Sequence, residues 1–273
     1  MERYRRGKGK QSLLGNHQKC WIWGRNAVRE TLRAGRWRMH DLWLADSLPE
    51  AELTEARGWG VALGATVSVV PAAEIETTCR SSEHQGYAAR MTEFPYRDAG
   101  DVLANLPANP ICAVLDGIHD PYNFGAILRS AEVLGVNAVL IGTGGQVGVT
   151  SMVVRSSAGA VNRVPLARVE DLCALVNELK ARGIRVAGAS EKAAETLAAF
   201  DFTLASAVVI GNEGRGPQPE IMAACDTLVR IPQIGHIGSL NASVAAGICF
   251  YEARRQRANR LKGEGCVSKP SVL

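Results

Sequence analysis

Three Gly- and Asn-rich stretches hold the side chains of this chain best suited to chemistry. They run from Asp116 to Gly135, from Val209 to Gly216 and from Ile231 to Ser243. The first supplies an amide, Asn123, and a guanidinium, Arg129. The second supplies Glu213, able to accept hydrogen bonds from an amine or hydroxyl, between Gly211 and Gly214, where a ligand can approach the backbone closely. The third supplies Ser239 and Asn241. Each loop follows an apolar run, and loops at the ends of buried strands are where α/β proteins bind small molecules. Three of them imply one composite pocket.

Local patterns suggest how these groups are mounted. Asn123 reads as the N-cap of a helix over 123–134, with Ile127, Ala131 and Leu134 facing the core and Gly135 ending it. Arg129 then lies about 200° round from Ile127, off the apolar stripe. Alone it reads as a surface arginine paired with Glu132; its place at a loop–helix junction favours a functional role. Ser239 reads as the cap of the last helix, 240–260, leaving Leu240 and Asn241 in its first turn. Ala242, Ala245, Ala246 and Gly247 give that helix a small face, suited to another helix of this chain or of a second subunit.

Other motifs fall short. No Gly-Lys-Ser/Thr follows Gly216, so a phosphate loop fails. The glycines of 142–148 miss the dinucleotide spacing by one residue, with no obvious helix after them. There is no HExxH or GxSxG. His119 and His236 lie in motif loops and read as structural, with ligand contact as the alternative.

The elements that position these loops form two groups. Residues 1–20 read as a flexible basic tail, with an organelle transit peptide as the minority reading. A small α/β unit occupies 21–93: a helix capped by Asn26 and ended by Gly35, strands at 41–45, 65–70 and 85–91, and a helix at 51–57. Residues 94–110, with Pro95, Gly100, Pro107 and Pro110, read as a linker carrying one short helix. From Ile111 to 260, strands (111–115, 138–142, 184–189, 207–210, 226–231) alternate with helices (123–134, 172–182, 240–260), which implies a mostly parallel sheet covered on both faces. Residues 261–273 read as a basic C-terminal tail.

Composition narrows the class. Of 273 residues 47% are hydrophobic and 21% charged, ordinary for a globular chain. No apolar run reaches the roughly 18–20 residues that span a bilayer. The net charge of +4 conceals an asymmetry: residues 1–40 hold 11 Lys/Arg against Glu2 and Glu30, while residues 253–273 hold 6 against Glu264. Basic ends on an acidic body point to a polyanion, most simply nucleic acid. Seven scattered cysteines, without CxxC spacing, suit a reducing cytosol and argue against structural zinc.

Read together, the three stretches resemble the SpoU (TrmH) family of RNA 2′-O-ribose methyltransferases in the SPOUT superfamily. The signatures N-x-G-A-I-x-R-[ST]-A, G-x-E-G-x-G and I-P-x-x-G-x-x-x-S-L-N-x-S occur in order over about 111–258. Arg155 to Ala160 also looks like the family. Trp23 to Glu30 and His84-Gln85-Gly86 are similar to the ribosomal-RNA subgroup's N-terminal domain. Asn212, Gln233 and Ala242 depart mildly from the pattern.

The resemblance implies a small ribosomal-protein-like RNA-binding domain joined to a SPOUT α/β domain with a trefoil knot. It implies a homodimer with the site at the interface, and S-adenosylmethionine as cofactor without a metal. Gly211, Asn212, Gly214, Ile231, Pro232 and Leu240 would hold the cofactor. Asn123, Arg129, Glu213, Ser239 and Asn241 would form the catalytic neighbourhood. The expected reaction is methyl transfer to a ribose 2′-hydroxyl, foremost a guanosine of large-subunit ribosomal RNA, in the cytoplasm. A transfer-RNA methyltransferase and a non-catalytic RNA-binding assembly factor are the alternatives.

Overall fold

Proline and aspartate mark most of the helix starts, and the chain alternates strand and helix between them. The computed structural model describes residues 21–212, 214–236 and 238–263, which fall into two compact units divided between Phe94 and Pro95. The expected basic tail 1–20, most of the expected tail 261–273, and Glu213 lie outside the described residues.

The first unit runs β1 (Trp21–Trp23), α1 (Arg25–Ala34), β2 (Met39–Ala45), α2 (Glu50–Ala62), β3 (Thr66–Val70), α3 (Ala72–Cys79) and β4 (Tyr87–Met91). Its sheet has the order β1-β4-β2-β3. Strands β2 and β3 are parallel, and β4 is antiparallel to both neighbours. Ile22, Val28, Leu42, Leu44, Ile75 and Tyr87 are fully buried and form its core.

Asn26 does not cap α1. Gly24, with φ 102°, precedes the helix without a side-chain cap, and Gln85 Oε1 accepts from Arg25 N at 3.1 Å instead. Gly35 ends the helix as expected, in the left-handed region at φ 62°, with its N–H on Thr31 O. Strand β1 is only three residues long and buried throughout, so it shows no alternation to read. Eight arginines face ten carboxylates over 21–94. The basic excess of the N-terminal region therefore resides in residues 1–20.

The second unit runs α4 (Ala99–Ala104), β5 (Ile111–Asp116), α5 (Pro121–Val133), β6 (Ala138–Gly142), α6 (Ser151–Ser156), β7 (Leu166–Val169), α7 (Leu172–Ala181), β8 (Arg185–Ala189), β9 (Glu195–Thr196), β10 (Ser206–Gly211), α8 (Pro219–Ala224), β11 (Thr227–Arg230) and α9 (Ala242–Gly263). Seven strands stand in the order β7-β6-β5-β10-β8-β11-β9, every adjacent pair parallel. The central strands β5 and β10 are buried along their whole length, as a parallel sheet covered on both faces requires.

The stretch read as a linker packs into this unit. Asp98 caps α4 by accepting from Asp101 N at 3.0 Å, and Val102 and Leu103 join the core with Cys112, Val114 and Leu175. Two apolar residues in a six-residue helix give too little periodicity to read. Helix α9 continues to Gly263, beyond the expected end at 260. Its Arg257 ties it to the start of the sheet. Its half-buried guanidinium donates to the carbonyl oxygens of Phe202, Asn109, Pro110 and Leu204 and to Asn109 Oδ1, at 2.8–3.1 Å. Burial pulls the Arg257 pKa below its ordinary value.

Among the described residues no helix is long and apolar enough to cross a membrane. None of their His, Cys, Asp and Glu form a group of three able to hold a metal ion.

Candidate active site

A parallel sheet leaves its strand ends, and the loops after them, on one edge. In the second unit the loops after β8, β10 and β11 close round a cavity of about 260 Å³, near the lower end of the ~300–1,000 Å³ usual for small-molecule sites. Gly211, Asn212, Gly214, Ile231, Ser239 and Leu240 line it. Two of the three motif stretches therefore share one space. Pro232 does not line it, and Glu213 lies outside the described residues.

The loop after β10 owes its shape to Gly211. A Cβ there would fall 2.0 Å from Gly216 C and from Pro217 N, so only glycine lets the chain fold back over the strand end. Gly216 N then bonds Asn212 O at 2.9 Å. Asn212 Oδ1 accepts from Gly214 N at 3.0 Å and from Arg215 N at 2.9 Å, fixing the turn.

Ile210, Leu197, Val229 and Cys249 give the cavity an apolar depth, while Glu191, Lys192 and Arg215 bring charge to its exposed side. Burial pushes the Cys249 thiol up to about 12, so it is a neutral wall rather than a nucleophile. Sequence reading passed over Ser190 to Lys192 and Cys249. Their signal is positional: the first three follow the end of a parallel strand, and Cys249 sits one turn beyond the small residues of α9.

The first stretch joins the site through one amide pair. Asn123 is not the cap of α5. Asp120 is, its side chain accepting from Tyr122 N at 3.0 Å, with Pro121 as the first helical residue. That places Asn123 inside the first turn, buried. Asn241, not Ser239, caps α9: its Oδ1 accepts from Ser243 N at 2.9 Å and Val244 N at 3.2 Å. Asn241 Nδ2 donates to Asn123 Oδ1 at 2.9 Å.

Arg129 stands apart. It is exposed on α5 and does not line the cavity. The expected pair with Glu132 is absent, and Arg129 has no partner among the described residues. It shares its helix face with Tyr122 (58% exposed) and Val133 (70% exposed). Helix α9 packs beside α5, Gly247 lying opposite Ser130, and it exposes Val244 and Tyr251 (60%). Tyr122, Arg129 and Val133, like Val244 and Tyr251, recur at helical spacing, so two neighbouring helices each expose an apolar stripe.

The two histidines read as structural, His119 and His236, are both exposed. After the glycines of 142–148 a helix does follow, α6, started by Thr150, whose side chain accepts from Val153 N.

Comparison with known proteins accords with this geometry. Residues 110–251 match the SpoU rRNA Methylase family, and residues 21–97 match the RNA 2′-O ribose methyltransferase substrate binding domain. A 23S rRNA (guanosine-2′-O-)-methyltransferase RlmB from Shewanella oneidensis is 34% identical over 239 residues, covering 86% of this chain and 97% of the relative. The SpoU methyltransferase AviRb from Streptomyces viridochromogenes, solved in complex with the cofactor AdoMet, superimposes with a TM-score of 0.75 at 25% identity, covering 88% of this chain and 91% of that one. An rRNA methyltransferase from Sinorhizobium meliloti gives a TM-score of 0.74 at 26% identity, covering 88% of each chain.

Proposed function

The chain belongs to the SpoU rRNA methylase family, and on that premise we propose that this RNA methyltransferase moves a methyl group from S-adenosylmethionine to the ribose 2′-hydroxyl of a guanosine in large-subunit ribosomal RNA. The observation that carries the reading is the shared cavity of the second and third motif stretches, tied to the first through Asn241 and Asn123. The AdoMet complex of the Streptomyces neighbour supports the donor, and the Shewanella relative supports the acceptor.

The residues present suit the donor. An apolar depth from Ile210, Val229 and Ile231 can take an adenine, and Gly211 and Gly214 present their backbone to the same space. Glu191 and Lys192 at the exposed side suit the zwitterionic amino-acid end. When bound, the cofactor supplies a methyl already activated on a sulfonium.

What remains for the protein is to hold the 2′-hydroxyl in line and help its proton leave. Positioning can supply about 7–11 kcal/mol of such a barrier. Asn123 and Asn241 are held by each other and by the α9 cap, which suits that task. A guanidinium stays charged in proteins. Arg129 is therefore better suited to gripping the target phosphate and stabilising developing alkoxide charge than to taking a proton.

Arg129 lies outside its own chain's cavity. A site shared between two copies answers this, with the exposed stripes of α5 and α9 buried in a homodimer. The trefoil path implied by the resemblance is part of the same reading. An experimental tracing in which the 211–217 and 231–241 loops fail to enclose a threaded segment would remove it. The reading as a whole is tested by calorimetric titration with S-adenosylhomocysteine, followed by transfer of labelled methyl to ribosomal RNA and detection of 2′-O-methylguanosine. Saturable binding and labelled nucleoside are expected; no binding would refute it.

A further inference from the structure

Gly117 is buried just past the end of β5, with room above it for no more than one small group. A Cβ there would stand 3.5 Å from Asn212 Nδ2 and 4.0 Å from His119 Nε2. One amide nitrogen and one imidazole nitrogen therefore flank the same small space over the Gly117 backbone. Gly145 closes against the imidazole from another loop, its notional Cβ 3.0 Å from His119 Cε1.

The walls of this niche are fixed. Ile118 N donates to Gln146 Oε1, and Val147 N to Ile118 O, both at 2.9 Å, pinning the two loops together. Asn212 Oδ1 is committed to Gly214 N and Arg215 N, which leaves Nδ2 as the end facing Gly117. Arg215, held by that same turn, is exposed and shares the cavity wall with Asn212.

The donors are unspent. Asn212 Nδ2, His119 and the Arg215 guanidinium have no partner among the described residues. The carboxylates flanking Gly117 in sequence are already engaged: Asp116 accepts from Gln218 N at 2.7 Å and Gln218 Nε2 at 2.9 Å, and Asp120 caps α5. Two donors flanking one small space suit an anionic oxygen, and Arg215 adds a positive charge to the loop that carries Asn212.

We propose that the niche formed by Gly117, His119 and Asn212, with Arg215 beside it, holds a phosphodiester of the target RNA next to the methylated nucleotide. This rests on the RNA-methyltransferase reading above. Such a contact sets the register of the strand without reading a base, and Asn212, which also lines the donor cavity, sets that contact next to it.

The test uses the full chain and a fluorescein-labelled single-stranded fragment of ribosomal RNA, read by anisotropy over a range of salt. His119→Ala and Arg215→Gln are each expected to weaken RNA binding about tenfold. Loss of the Arg215 charge should also flatten the slope of log Kd against log salt by about 0.7. His119→Ala should raise KM for RNA more than it lowers kcat, with S-adenosylhomocysteine affinity unchanged. Unaltered RNA affinity and salt slope in both variants would overturn the proposal. So would an Arg215→Gln protein that loses affinity for S-adenosylhomocysteine but not for 5′-methylthioadenosine, which lacks the carboxylate, while binding RNA normally. A wild-type protein that binds RNA yet transfers no methyl would refute the methyltransferase reading, and the anisotropy comparison would still decide the niche.

Discussion

Asn241 Nδ2 donates to Asn123 Oδ1 at 2.9 Å across 118 residues of chain. The other end of the same amide caps α9. One side chain thus sets the start of the last helix and the position of a buried amide on α5, coupling the first motif stretch to the third.

Separating those two roles is straightforward. Asn241→Ser keeps a good N-cap but gives up the bond to Asn123, so it should fold with nearly wild-type stability and lose most methyl transfer. Asn241→Ala loses both and should be destabilised by about 2 kcal/mol. Urea midpoints and turnover measured on the pair check this; a serine variant with full activity would show that the amide pair has no part in catalysis.

Arg257 should matter more for stability than any surface arginine. Its guanidinium serves four carbonyls and Asn109 Oδ1 at the entry to β5 and β10. Removing this half-buried guanidinium leaves several strand-end carbonyls without their donor, at a cost of about 1–3 kcal/mol, and lysine cannot reproduce the planar fork. Both Arg257→Ala and Arg257→Lys are expected to unfold at clearly lower denaturant than wild type. Equal midpoints for lysine and arginine would contradict the fork geometry.

Acid sensitivity should be traceable to α9. Hydrogen bonds from Arg255 hold the Glu252 carboxyl below its ordinary value of 4.5, with Gln256 adding to the effect. A carboxyl lowered in the folded state contributes stability at pH above its unfolded value and loses it as pH falls through the folded value. Glu252→Gln should therefore be less stable than wild type at neutral pH and lose less on acidification below about pH 4.5. Parallel acid profiles for the two proteins would show that the pair contributes nothing.

The exposed stripes of α5 and α9 lead to an expectation about assembly. Tyr251→Glu and Val133→Glu each place a charge in a face proposed to meet a second copy, where an unpaired buried charge is costly. Light scattering should show dimer for wild type and a shift to monomer for the variants, with methyl transfer falling alongside. A wild-type monomer with full activity would remove the shared-site argument for Arg129.

The sequence made the α/β class, the parallel order of elements after Ile111 and the convergence of two motif loops readable, because long buried strands and glycine loops follow strong local rules. Caps were misread where two candidates stood close together. The Pro121 signal favoured Asp120 over Asn123, and Asn241 prevailed over Ser239 because it also reaches Asn123. The three-residue β1 and the six-residue α4 and α8 were too short to carry a period. The loop after β8 offered no distinctive residue types. Its part in the cavity depends on β8 lying between β10 and β11, which no local pattern encodes.

The most direct test maps ribose methylation at nucleotide resolution in ribosomal and transfer RNA from cells lacking this gene, complemented with wild type or with Arg129→Ala. One guanosine of large-subunit ribosomal RNA should lose its 2′-O-methyl group, regain it with wild type and stay at least about a hundredfold slower to regain it with Arg129→Ala. An unchanged methylation map in the deletion, or full rescue by Arg129→Ala, would contradict the account.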